Sequence, residues 1–136
     1  METTGLHPLP LRIAVGADLR AELDAVLARH GALAGFVLQG IGSLEVARIR
    51  FAGLPDFTEL RTDLEIVGLG GSLSPDGPHL HIAVSDAAGR VTGGHMGPGC
   101  IVRTTAEVLV ALLPGFRFGR ADDPATGYKE LFVRDQ

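Results

Sequence analysis

Residues 78–96 read PHLHIAVSDAAGRVTGGHM, and this stretch contains the turn on which the predicted architecture depends. Asp86 can begin a type I turn and Gly89 can adopt the left-handed conformation of a bulge, a common combination in three-residue hairpin loops. Short apolar and polar segments on both sides of the loop favour two strands, at residues 79–85 and 90–96. The sequence therefore predicts a β-hairpin.

The register of this hairpin is expected to bring three histidines to one face. Pairing Asp86 with Arg90 places His81 opposite His95 and leaves His79 diagonal to His95. Directly opposed side chains begin about 5 Å apart and diagonal ones about 7–8 Å apart, so the three imidazole rings can converge on one ion. A two-residue loop would place His95 on the opposite face of the hairpin, so the prediction depends on the bulged loop.

Three neutral imidazoles are typical ligands of zinc or a similar divalent transition metal, and three protein ligands leave a coordination position for water or substrate. We therefore predict a metal site at His79, His81 and His95, with Glu107 or Cys100 as alternative fourth ligands. Water bound to such an ion has a pKa lowered towards neutrality and can act as a nucleophile. The same pattern is also compatible with a hydrogen-bonded polar patch at a subunit interface.

A helix is predicted directly after the first strand. Asp18 offers a side-chain oxygen that can cap the N-terminus of this helix, and Gly31 can adopt the left-handed conformation that ends it. Between them lies an apolar helical face formed by Leu19, Leu23, Val26 and Leu27. The sequence therefore predicts one principal helix that packs this face against a sheet.

The rest of the chain is predicted to form short strands separated by turns. In addition to the hairpin, strands are expected at residues 11–15, 35–39, 44–51, 60–69 and 128–133. Alternation of polar and apolar residues indicates an antiparallel sheet with one buried face. The glycine-rich segments 40–43 and 68–72 lack the Gly-Lys-Ser/Thr ending of a phosphate-binding loop, so we expect turns, bulges or close backbone contacts there.

Three further segments are less regular. Residues 104–107 match a helix capping box, whereas the Val and Leu run that follows, up to residue 113, would also suit a buried strand. The residues alone leave this segment open. Residues 1–10 are expected to form an irregular N-terminus, and residues 122–127 a loop.

Size and composition indicate a single domain over residues 1–136, with 46% hydrophobic residues. Twelve basic against 16 acidic residues give a net charge of -4 without any basic run, which disfavours direct binding to DNA. The one cysteine excludes an intramolecular disulfide, and no apolar stretch approaches the ~20 residues that span a bilayer. The N-terminal residues lack the features of a secretion signal, so a cytoplasmic protein without membrane contact is expected.

A set of residues in a fixed order extends the hairpin pattern: Pro78-His79-Leu80-His81, Asp86, Gly89, Gly93-Gly94-His95 and Gly99. This pattern resembles the signature of the PPC (plants and prokaryotes conserved) domain family, best known from plant nuclear AT-hook proteins. Residues 64–67 leading to 71–72, Glu107, and residues 126–127 ahead of Leu131 agree as well. The resemblance therefore covers most of the chain.

The resemblance implies an α+β fold, with an antiparallel β-sheet core and one principal helix, that assembles as a homotrimer. It also implies a strand, not a helix, at residues 107–113. Prokaryotic members consist of this domain alone and are often labelled DNA-binding by analogy with plant relatives, in which a separate AT-hook contacts DNA. This chain has no Arg-Gly-Arg-Pro hook, and it departs from the plant pattern at residues 62–64, where an Arg-Phe pair usually precedes the Glu.

Three functions compete at this point. The leading hypothesis is a trimeric metal-binding domain that acts on a small molecule by hydrolytic or lyase chemistry. The first alternative is a DNA-associated or regulatory protein that acts through partners. The second alternative is an assembly module without a metal, in which the histidines are structural. The sequence does not decide whether the protein is an enzyme.

Overall fold

The structure, a computed structural model, describes residues 5–136. Its elements are β1 (His7–Ala14), α1 (Leu19–Asp24), α2 (Val26–His30), β2 (Gly35–Arg50), β3 (Phe57–Leu73), β4 (His79–Ser85), β5 (Val91–Met96), β6 (Ile101–Leu112), β7 (Phe116–Asp123) and β8 (Tyr128–Asp135). The first six strands form one antiparallel sheet in the order β1-β6-β2-β3-β4-β5, and β7 pairs with β8. The predicted α+β fold with an antiparallel core is confirmed.

The long strand β2 closes part of the sheet upon itself. Along one edge it pairs with β3, and along the other edge it pairs first with β6 and then, at its C-terminal end, with β5. Irregularities in the β2–β6 register, including one between Val37 and Gln39, add local twist to the strand. As a result, β5 lies between β4 and the end of β2, where Arg50 pairs with His95.

Glycines allow the strands to approach closely at the two segments that were expected to be turns, bulges or close contacts. The sequence predicted two strands separated by residues 40–43, but β2 runs through these residues without interruption. Gly42 has a φ of +139°, and a Cβ atom there would lie 2.2 Å from the carbonyl oxygen of Thr105. Gly71 similarly has a φ of +148° within β3. These segments therefore serve close backbone packing within continuous strands.

The predicted helix is present as α1 and α2. Asp18 accepts a hydrogen bond from the backbone N–H of Ala21 at 3.1 Å, and Gly31 ends the segment with a φ of +62°. At Ala25, between α1 and α2, the backbone N–H still donates to the Ala21 carbonyl oxygen at 3.2 Å. The two pieces thus act as one helical segment. Its predicted apolar face, formed by Leu19, Leu23, Val26 and Leu27, is buried.

Three sequence-based expectations need correction or completion. Residues 104–107 lie within β6, so the helix suggested by the capping-box pattern is wrong and the strand implied by the family resemblance is confirmed. The expectation of an irregular N-terminus is wrong for residues 7–10, which begin β1, while residues 1–4 lie outside the described part of the chain. The predicted loop at 122–127 is shorter, because β7 continues to Asp123.

The β7–β8 hairpin, of which only β8 was predicted, packs beside β2 and β3. Phe118 is buried, with its ring centroid 5.6 Å from that of Phe36 in an edge-to-face arrangement. The backbone N–H of Arg120 donates to Asp76 Oδ2 at 2.9 Å. These contacts fix the position of β7 relative to the main sheet. Among residues 5–136, no helix has the length and apolar character needed to cross a membrane.

The close approach at Gly42 generates a stability prediction. We expect Gly42→Ala to lower the free energy of unfolding by roughly 2 kcal/mol or more, because the new methyl group meets backbone atoms and the residue must keep a positive φ. Gly68→Ala is the matched control, since a Cβ atom there has no neighbour within 4 Å, and it should change stability by less than about 1 kcal/mol. Chemical denaturation measures both, and equal effects would contradict the proposed packing role of Gly42.

Candidate metal centre

The loop between β4 and β5 has the predicted bulged geometry. Gly89 has a φ of +75°, and its backbone N–H donates to the Asp86 carbonyl oxygen at 2.9 Å. The Asp86 carboxylate accepts from the N–H groups of Ala88 and Arg90, at 2.9 and 3.0 Å. The resulting register pairs His81 with His95, as predicted.

The structure brings the three predicted histidines together. The ring centroids of His79 and His81 are 5.0 Å apart, those of His79 and His95 are 5.2 Å apart, and those of His81 and His95 are 4.6 Å apart. One ring nitrogen from each residue lies within 4.8 Å of the other two. Tetrahedral zinc with bonds of about 2.0–2.1 Å separates its nitrogen ligands by roughly 3.3 Å, so small side-chain movements suffice for a fit. The donor set therefore suits a transition-metal ion.

Gly71 on β3 and Gly94 on β5 leave room for the backbone that carries the cluster. A Cβ atom on Gly71 would lie 2.0 Å from the carbonyl oxygen of His79. A Cβ atom on Gly94 would lie 2.5 Å from the carbonyl oxygen of Arg50, on the strand that pairs with His95. Larger residues at these positions would push the histidine-bearing strands out of register.

The surroundings of His79 and His95 lower the pKa of both residues and so favour their neutral form. Burial lowers the pKa of His79, and the positive charge of Arg120 and the neighbouring histidines lower it further, against the opposite effect of Glu130. Burial also lowers the pKa of His95, followed by the effects of Arg50 and a neighbouring histidine. A neutral imidazole keeps a lone pair available for a metal, so these two residues are suited to ligation.

Neither residue considered as a fourth ligand lies within the cluster. Cys100 is fully buried, and its sulfur accepts a hydrogen bond from the backbone N–H of Arg48 at 3.3 Å. Glu107 lies on β6, opposite Arg12 of β1 and Ile41 of β2, and two strands separate β6 from β4. Within the described chain, the group therefore consists of three histidines.

A cleft of about 1180 Å³ opens beside the cluster and is lined in part by His79 and His95. Arg50 and Arg120 line the same cleft, one near each of these histidines. Sequence reasoning did not identify either arginine as part of a site. Arg50 could have been found only from the β2–β5 pairing, and Arg120 only from the packing of the β7–β8 hairpin.

A family model of the Plants and Prokaryotes Conserved (PCC) domain matches residues 1–114 of the chain. The chain belongs to this family. PCC and PPC abbreviate the same family name, so the resemblance noted in the sequence is confirmed. The match ends before β7, and the β7–β8 hairpin lies beyond the matched residues.

Solved structures share the fold of this PCC domain. A protein from Salmonella enterica has 35% identity and a TM-score of 0.94, with 99% of this chain and 98% of that chain covered. A metal-containing protein from Archaeoglobus fulgidus has 26% identity and a TM-score of 0.77, with 97% and 99% covered. A PPC protein from Pyrococcus horikoshii has 22% identity and a TM-score of 0.77, with 95% of this chain and 94% of that chain covered. This likeness shows the fold alone.

Longer proteins also contain a related segment. The bifunctional protein GlmU of two Synechococcus strains is 47% identical over 133 residues and 48% identical over 134 residues, respectively. In both cases 98% of this PCC chain is covered, but the chain spans only 21% of the length of the relative.

The environment of Cys100 predicts low thiol reactivity. Burial raises the pKa of this thiol, and the side chain is inaccessible in the folded protein, so little reactive thiolate is present near neutral pH. We expect a thiol-specific chromogenic reagent to react very slowly with the native protein and rapidly after unfolding in guanidinium chloride. Equal reaction rates in the two states would show that the thiol is exposed in solution.

Proposed function

We propose that His79, His81 and His95 hold zinc or a similar divalent transition metal, and that this PCC domain acts on a small molecule in the adjacent cleft. The observation that carries the proposal is the convergence of three ring nitrogens within 4.8 Å of one another. The direction of the pKa shifts at His79 and His95 adds support, because neutral imidazoles are the form that binds metals. The metal-containing relative from Archaeoglobus fulgidus adds further support.

The proposed metal site has a free coordination position at which a small molecule can bind. A zinc ion held by three protein ligands retains an open coordination position and, when bound, supplies Lewis-acid activation of a substrate or water. The protein contributes a fixed set of donors on two paired strands and a cleft beside them. Hydrolytic or lyase chemistry on a small molecule is the reaction class that this arrangement favours.

Metal content tests the proposal directly. We expect protein purified without an affinity tag from metal-supplemented medium to contain stoichiometric metal by elemental analysis. His79→Ala, His81→Ala and His95→Ala should each reduce the bound metal at least about tenfold, because each removes a coordinating nitrogen. His30→Ala is the matched control: its ring lies outside the cluster, with Nδ1 3.0 Å from the carbonyl oxygen of Val26.

Two outcomes would decide against the metal site. Wild-type protein without stoichiometric metal would exclude it. Loss of metal in the His30 control to the same extent as in the cluster variants would show that the measured ion is not held by the cluster. Circular dichroism of each variant separates loss of ligation from loss of folding. Retained metal in Cys100→Ala and Glu107→Gln would agree with their positions away from the cluster.

We further propose that the chain assembles as a homotrimer, as the family resemblance implies. Supporting evidence comes from apolar side chains exposed on the neighbouring central strands β6, β2 and β3: Leu38 (53% exposed), Ile41 (52%), Val67 (50%) and Leu109 (40%). Single exposed apolar residues are ordinary on protein surfaces, whereas a contiguous group indicates an interaction surface. Further copies of this chain are the proposed occupants of this sheet face.

Disruption of that face should change the oligomeric state. We expect light scattering after size-exclusion chromatography to give the mass of a trimer for the wild type, and lower masses for Leu38→Asp and Ile41→Asp, which place charges in the proposed interface. Val15→Asp is the control, because Val15 is 68% exposed and lies outside these strands. A wild-type monomer at all concentrations would refute the assembly.

DNA association through partners remains the alternative function. Structural relatives from Bacteroides thetaiotaomicron and Ralstonia eutropha bear names that propose DNA binding, at 23% and 24% identity. The net charge of -4 disfavours direct contact with phosphates. A fluorescence-anisotropy titration of labelled DNA at several salt concentrations distinguishes direct DNA binding from association through partners, since direct binding weakens steeply as salt rises.

The assembly-module alternative predicts a different pattern of results. Under that hypothesis, the wild type would be trimeric without bound metal, and the three histidine variants would lose the trimer. The proposed metal-binding role instead predicts that the variants lose metal and keep their oligomeric state.

A cytoplasmic location stays a prediction from the sequence.

A further inference from the structure

The cleft beside the histidines carries a charge opposite to that of the whole chain. The chain has a net charge of -4, yet the cleft is lined by four cationic side chains, Arg20, Arg50, Arg120 and Lys129, and by two carboxylates, Asp76 and Glu130. A concave surface with an excess of positive charge attracts anions and raises their local concentration.

Arg50 extends the row of histidines across the closed part of the sheet. Arg50 pairs with His95 across β2 and β5, and His95 pairs with His81 across β5 and β4. Directly opposed residues on neighbouring strands project from the same face, so the guanidinium lies on the side of the imidazoles. Its Nη1 donates to the Leu54 carbonyl oxygen at 3.1 Å, which restrains the side chain while leaving other N–H donors available.

Arg120 approaches the cluster from the β7–β8 hairpin. Its Nη2 donates to Ser72 Oγ at 3.4 Å, and Ser72 lies directly opposite His79 in the β3–β4 register. The neighbouring carboxylate of Asp76 accepts a hydrogen bond from the backbone N–H of Arg120. The guanidinium of Arg120 is oriented instead by the neutral hydroxyl of Ser72.

Neither arginine takes part in an ion pair within the described residues. The salt bridges there join Arg29 to Glu22, Arg61 to Glu59 and Arg103 to Asp63, all with substantially exposed side chains. Arg50 and Arg120 are instead partly buried in a cleft, with charges near His95 and His79. Partly buried guanidinium groups are stabilised by an oxyanion, which their planar donor fork binds with two hydrogen bonds.

We propose that the cleft binds a small molecule through its carboxylate or phosphate group, with Arg50 and Arg120 as the binding residues on the two sides of the histidine cluster. The inference rests on the proposed function in that it names the ligand class of the same site. The histidines would position the reacting group, and the arginines would select ligands with a negative charge.

Isothermal titration calorimetry on protein of known metal content tests the inference, with inorganic phosphate and acetate as separate probes. We expect the wild type to bind at least one probe, and the two arms identify which oxyanion is preferred. Arg50→Gln and Arg120→Gln should each weaken binding about tenfold to a hundredfold while metal content stays unchanged. Arg120→Lys, which keeps the charge but loses the fork, should fall between wild type and Arg120→Gln.

Arg103→Gln is the matched control. It removes the same charge from the chain, but Arg103 lies on β6, pairs with Asp63 and does not line the cleft. Binding as in the wild type is expected for this variant. An equal loss in Arg103→Gln would show a general effect of net charge and would overturn the inference.

The remaining outcomes separate the inference from the metal proposal. Metal-loaded protein that binds neither probe, or that binds them equally well after both arginine substitutions, would overturn the anion site and leave the metal site standing. If the protein contains no metal, anion binding that depends on Arg50 and Arg120 would support the inference by itself. Absence of that binding in the metal-free protein would refute both proposals together.

Discussion

The hydrogen bonds of the Asp86 carboxylate set the register of the β4–β5 hairpin, and the histidine cluster depends on that register. The side-chain oxygen accepts from the N–H groups of Ala88 and Arg90, which holds the bulged loop around Gly89. Since side chains alternate between the two faces of a strand, a shift by one residue would turn His95 away from His81. A local turn of a few residues therefore controls whether three imidazoles share one space.

The second requirement is the closure of the sheet by β2. This strand pairs with β6 along most of one edge and then with β5, so Arg50 becomes a neighbour of His95. Close approach of backbones makes the arrangement feasible, and Gly42 and Gly94 supply it where a Cβ atom would meet a carbonyl oxygen. Without this curvature, β5 would pair only with β4, and Arg50 would not lie beside His95.

The sequence predicted those features that depend on local interactions. The helix cap at Asp18, the helix end at Gly31 and the hairpin loop are each formed by residues within a few positions of one another, and all are confirmed. Contacts between distant segments were not predictable: β2 runs through a glycine-rich segment because β6 and β3 support it on both sides. β7 was missed because its sequence ends in charged residues, while Phe118 is buried only through distant contacts. For β6, the local signals conflicted, and the family resemblance supplied the correct prediction.

The same division between local and distant contacts separates the two parts of the candidate site. The histidines belong to a hairpin whose geometry is set by its own loop, and this hairpin lies within the residues that match the family model. Arg120 comes from a hairpin beyond those residues, held by the contact between Phe118 and Phe36 and by the hydrogen bond to Asp76. Ser72 connects the parts, since it pairs with His79 and accepts a hydrogen bond from Arg120. Substitutions in the β7–β8 hairpin are therefore expected to change the position of Arg120 while the arrangement of the three histidines on β4 and β5 is kept.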